Sequence, residues 1–124
     1  PERAAVISPS RWAQDYGVRF SSHLDTPVTP MLPLQAVWSQ VQRKTYGGDV
    51  LGPEQRISVM DALRAVTIDA AWQVFQEDNR GSLEPGKYAD MVVLSGDPRE
   101  HPMDLRDLDV KRTVIGGATV YRAR

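Results

Sequence analysis

Apolar residues in the first two-thirds of the chain recur at helical spacing; in the last third they gather in short runs between turn residues. Leu34, Val37, Trp38 and Val41 predict a helix over residues 33–46, with Gln35, Gln40, Gln42, Arg43 and Lys44 facing out and Gly47-Gly48 as its stop. Upstream, Ser8 reads as a cap and Pro9 as the first residue of a helix that passes Trp12 and Ala13 and ends at Gly17. Trp12 and Tyr16 share one face of it and read as packing residues. Residues 18–22 follow as a short strand, and helix, glycine, strand is half of a βαβ unit, which argues for a parallel sheet. Further on, Ser58 and Asp61 make an S-x-x-D capping box before the stripe Val59, Ala62, Leu63 and Val66. Thr67 restarts the helix, with Ile68, Ala71, Trp72 and Phe75 on an apolar face through about residue 76.

Past Gly81 the pattern becomes β. Pro85-Gly86 is a turn, and Met91-Val92-Val93-Leu94, bounded by Asp90 and by Ser95-Gly96-Asp97-Pro98, reads as a strand buried on both faces. Residues 110–115 and 118–121 flank Gly116-Gly117, the signal for a hairpin with a primed turn. A domain boundary is therefore placed at Gly81, giving units of residues 1–80 and 81–124.

Composition narrows the classes. A chain of 124 residues has room for one modest core. Net charge is −1 with Lys and Arg scattered, so nucleic acid is not expected as a partner. No apolar run reaches membrane length and no signal-peptide pattern opens the chain, so no membrane partner is expected and the expected compartment is the cytoplasm. The absence of cysteine excludes disulfides, thiolate zinc sites and cysteine nucleophiles without fixing that compartment. The chain opens on Pro1 rather than Met and is expected to be processed or part of something longer.

His23-Leu24-Asp25 is the one pair of potential ligands or acid–base groups at a predicted strand end. In an extended backbone, positions 23 and 25 point the same way and converge on one site. In α/β barrels chemistry sits just beyond the strand C-termini. A structural hydrogen-bonded His–Asp pair is the competing reading from spacing alone.

The string Gly-Ser-Leu-Glu-Pro-Gly-Lys-Tyr-Ala-Asp-Met-Val-Val-Leu from Gly81, followed by Gly96-Asp97-Pro98, resembles the C-terminal signature of the metal-dependent amidohydrolase superfamily. Ser22-His23-Leu24-Asp25-Thr26-Pro27-Val28-Thr29-Pro30 is similar to the His-x-Asp-x-Pro-Val-Thr-Pro stretch of its branch related to N-substituted formamide deformylase. Ser8-Pro9-x-Arg11, Leu51-Gly52-Pro53-Glu54-Gln55-Arg56-Ile57-Ser58 and Ala62-Leu63-Arg64-Ala65-x-Thr67 extend the likeness in the right order. Asp69 departs from it, standing where relatives often carry Asn, and reads as structural.

The resemblance implies an α/β fold: the last strand and helices of a (β/α)8 barrel, then the C-terminal strands of a small β-sandwich domain. It implies that Asp25 is the barrel aspartate, a metal ligand and general base, with His23 beside it orienting Asp25 or contacting substrate. The implied cofactor is a divalent metal, with zinc expected, and the implied substrate is a small amide-like molecule. Only His23 and His101 are histidines, and His101 falls in the polar connection of the β unit, away from the metal. A catalytic zinc wants about three protein ligands and an open position. The expectation is thus the C-terminal part of a hydrolase, binding no metal and inactive alone, that pairs with a missing N-terminal portion or self-associates through unpaired strand edges and apolar helix faces. A dilute monomer in sedimentation would contradict the self-association. Two alternatives remain: a stand-alone, non-catalytic binding or assembly module, and an unrelated small α/β domain.

Overall fold

The computed structural model describes residues 2–100 and 102–124, so His101 lies outside the described residues. Among the described residues five helices come first: α1 Glu2–Ala5, α2 Ser10–Asp15, α3 Pro33–Gln42, α4 Val59–Ala65 and α5 Ile68–Gln73. Three strands follow among those residues: β1 Met91–Leu94, β2 Val110–Ile115 and β3 Ala118–Arg122. Single 3₁₀ turns sit at Pro53–Gln55 and Leu105–Asp107.

The core lies mainly among the helices. Val37 and Trp38 of α3 meet Ile57 and Ala62 across the α3–α4 contact, and Phe20, Val41, Leu63 and Val66 pack around them. Removing such side chains from water supplies about 1.5–3 kcal/mol each. The fifth member of this cluster is Leu105, fully buried although it lies beyond Gly81. Its segment is held down by α3. The Trp38 indole N–H donates to the Met103 carbonyl at 3.2 Å, the Gln42 amide donates to the Pro102 carbonyl at 2.6 Å, and the Arg106 guanidinium lies 3.8 Å from the Trp38 ring centre.

The Ser58 cap forms as read: the Asp61 N–H donates to the Ser58 hydroxyl at 3.1 Å, and that hydroxyl donates to the Asp61 carboxylate at 2.6 Å. Hydrogen bonding to Ser58 holds the Asp61 carboxyl below the usual carboxylate range, with burial opposing it. Gly116 and Gly117 both have positive φ, +56° and +83°, as a primed hairpin turn requires.

Other elements differ from the pattern reading. Ser8 does not cap α2; it has φ +48°, Pro9 is the capping residue, and the Ser8 carbonyl instead accepts from Ser10 N–H and Arg43. Helix α3 ends at Gln42 rather than at the glycines, because Arg43 turns left-handed at φ +55° and a Lys44–Val50 bridge begins a small loop. Gln40, Gln42 and Arg43 are buried rather than facing out. Conversely, Tyr16 is 84% and Phe75 86% exposed, because nothing in the described chain lies over those faces.

The sheet is antiparallel throughout, in the order β1-β2-β3. The parallel arrangement expected from residues 18–22 does not form, since that segment has no strand beside it among the described residues. Nor is β1 buried on both faces: Val92 and Val93, which alternate to opposite faces of the sheet, are both exposed.

Candidate functional site

Helix α2 ends at Asp15 and the chain turns at Gly17 into the segment 18–24, where the expected strand over residues 18–22 is not formed. The Ser22 N–H donates to the Ala65 carbonyl at the end of α4 at 2.9 Å. This segment delivers His23 and Asp25 to an exposed turn.

The turn does not keep the two side chains on one face. Asp25 has φ +54°, so the alternation of an extended strand stops there. Its carbonyl accepts from Val28 N–H at 2.8 Å, and the Thr29 hydroxyl donates to the Leu24 carbonyl, closing the loop. The His23–Asp25 link runs through the backbone: the Asp25 N–H donates to His23 Nδ1 at 3.1 Å. With Nδ1 accepting, a neutral ring carries its proton on Nε2. The Asp25 carboxylate is exposed and has no ion-pair partner among the described residues.

His23 borders a cleft of about 500 Å³ whose walls include Ser10, Phe20, Ser39, Gln40 and Arg43; Asp25 is not on that wall. The structure thus joins the two residues in one turn but aims them differently. Among the described residues no group of three or more His, Cys, Asp or Glu could hold a metal ion. Against the roughly three protein ligands of a catalytic zinc, one carboxylate and one imidazole with its Nδ1 engaged do not form a metal centre.

The buried polar wall of the cleft escaped pattern reading. Arg43 Nε donates to the Leu51 carbonyl at 3.0 Å, and its terminal nitrogens donate to Ser8, Ile7 and Ala5 carbonyls at 3.0, 2.6 and 3.4 Å. Burial pushes the Arg43 pKa below its ordinary value, with the Glu54 carboxylate pulling the other way. Ser10 donates to Gln40 Oε1 at 3.3 Å, and the fully buried Gln55 accepts from Trp12 N–H at 3.2 Å. One signal was available: Ala36, Gln40 and Arg43 stand at i, i+4 and i+7, a second helix face opened by a small residue.

The chain belongs to the amidohydrolase family, whose model matches residues 1–121. It is similar to the N-substituted formamide deformylase of Arthrobacter pascens, 36% identical over 116 residues that cover 93% of this chain and 21% of that protein. It is also similar to the putative amidohydrolase YtcJ of Bacillus subtilis, 34% identical over 109 residues covering 85% of this chain and 21% of that one. Among solved structures, an amidohydrolase from Thermotoga maritima superposes with a TM-score of 0.70 at 27% identity, over 94% of this chain and 27% of the other. The chain therefore spans about a fifth of the length of the curated relatives it matches.

Proposed function

We propose that this chain forms the C-terminal portion of a metal-dependent hydrolase of amide-like C–N bonds, and that Asp25 is its barrel carboxylate. In this reading residues 1–80 supply the end of a (β/α)8 barrel and residues 81–124 the closing strands of a small β-sandwich. The observation that carries it is the Asp25 carboxylate: exposed, without an ion-pair partner among the described residues, and directly after the segment 18–24, which in this reading would be the last barrel strand.

The remaining metal ligands come from elsewhere in the protein, so the chain by itself is inactive. A divalent metal, with zinc proposed, would when bound supply a water of lowered pKa. Asp25 would be one of the residues that hold the metal, and as general base its carboxylate would accept a proton from water and give it to the leaving nitrogen. His23, by accepting the Asp25 N–H, holds the turn that presents the carboxylate. The exposed apolar residues Val28, Met31 and Leu32 then face other parts of the protein or a second copy.

Asp25→Asn in the whole protein is expected to lower kcat by about 100- to 10,000-fold at unchanged thermal stability. Retained turnover would sink the catalytic assignment of Asp25.

A further inference from the structure

The segment that leads to His23 has no strand beside it among the described residues, so contacts other than a sheet ladder set its position. Those contacts come from α4 and α5. Besides the Ser22–Ala65 bond, the Ser21 hydroxyl donates to the Gln73 side-chain carbonyl. The fullest set belongs to Arg19. Its Nε pairs with the Asp69 carboxylate at 2.6 Å, its Nη2 donates to the Ile68 carbonyl at 3.4 Å, and its guanidinium lies 4.7 Å from the Trp72 ring centre.

A planar guanidinium held at its edge by a carboxylate and on its face by an indole has one orientation, which a flexible ammonium would not share. The Asp69 side chain is only 15% exposed, so this pair is less screened than an ordinary surface pair. Helix α5 is itself fixed, because Ala71 is buried and packs closely beneath Gly81. The position of Asp69 is therefore passed through Arg19 to the segment that ends in the His23–Asp25 turn.

We propose that Asp69, acting through Arg19, is a positioning residue for the turn that carries His23 and Asp25. The proposal rests on the catalytic reading of Asp25 for its effect on turnover, but not for its effect on the segment's order. The test compares Asp69→Asn, which keeps an oxygen to accept from Arg19, with Asp69→Leu, which does not. Both are made in the whole protein and followed by steady-state kinetics and by hydrogen exchange of peptides over residues 18–30.

Asp69→Leu is expected to lower kcat about 10- to 100-fold with KM little changed. Exchange should quicken in residues 18–30 but not in α4, and Asp69→Asn should restore both readouts. If Asp69→Leu does not fold, Arg19→Gln is expected to give the same pattern from the other side of the pair. Unchanged exchange in 18–30 would overturn the proposal, as would faster exchange spread over α4, which marks lost packing rather than lost positioning. If Asp25→Asn keeps turnover while Asp69→Leu still loosens 18–30, the catalytic reading fails and the clamp stands.

Discussion

Helices α3 and α4 bury Ala36, Val37, Ala62 and Ala65 almost completely, whereas every residue of β3 is exposed and Val114 is the one buried residue of the three strands. The helical region is ordered by burial, and where it buries polar groups it satisfies most of them, as at Arg43 and Gln42. The sheet is ordered by its ladder and by ties at its turns: Gly116 N–H to the Asp90 carboxylate at 2.7 Å and Gly117 N–H to the Ala89 carbonyl at 3.0 Å. The contrast teaches that position in sequence does not decide which region a residue stabilises. Leu105 lies beyond the change from helix to strand, yet it belongs energetically to the helices.

Leu105→Ala is the sharpest way to break the comparison. It should cost about 3–4 kcal/mol in urea denaturation, more than any truncation within β3, because it opens a cavity under Trp38. A cost near zero would mean that the strand region is independent of the helical core. Arg43→Met comes next, at about 3 kcal/mol, since it leaves the carbonyls of Ile7, Ser8 and Leu51 without their charged donor. The loss should show as faster hydrogen exchange in α2, with the β2–β3 hairpin unaffected.

Glycines sharpen the same contrast. A Cβ on Gly81, at φ +90°, would stand 2.8 Å from both the Ala71 Cβ and the Ile68 Cα, so Gly81→Ala should cost about 2 kcal/mol or more. A Cβ on Gly116 meets nothing within 4 Å, and Gly116→Ala should cost only the left-handed backbone penalty of about 1 kcal/mol. Equal thermal shifts for the two variants would contradict this ordering.

The smallest effect is the pH dependence of the Ser58–Asp61 cap. The folded Asp61 pKa is lowered, chiefly by the Ser58 hydroxyl, so its stabilisation is present above the unfolded carboxylate value of about 3.9 and is lost as pH falls through the lower folded value. The stability difference between the wild type and Asp61→Asn should therefore be constant near neutrality and shrink only in strong acid. A difference that shrinks on raising the pH would overturn that account.

Local chemistry was legible at the Ser58 cap and the β2–β3 turn, though not at Ser8, which does not cap α2. The Ser58 cap needs Asp61, and the hairpin needs Gly116-Gly117, and both form as the pattern predicts. The apolar stripe of α3 likewise meets the core through Val37 and Trp38. The candidate site was legible only as residue types in order. That Asp25 would turn left-handed, and that its N–H rather than its carboxylate would meet His23, depends on the loop closing through Val28 and Thr29.

The sequence by itself determined the division into helical and β regions, the Ser58 cap, the Gly116-Gly117 turn and the family likeness, because those depend on spacing and on neighbours a few residues away. Only the tertiary structure decided which faces are covered. The polar row of α3 went inside because four backbone carbonyls of the 5–8 and 51 segments converge on Arg43, and Leu105 went inside because α3 binds the 102–107 segment. Tyr16, Phe75, Val92 and Val93 stayed outside, though their apolar character had marked them for burial. Burial is a property of two surfaces meeting, and periodicity along one chain records only one of them.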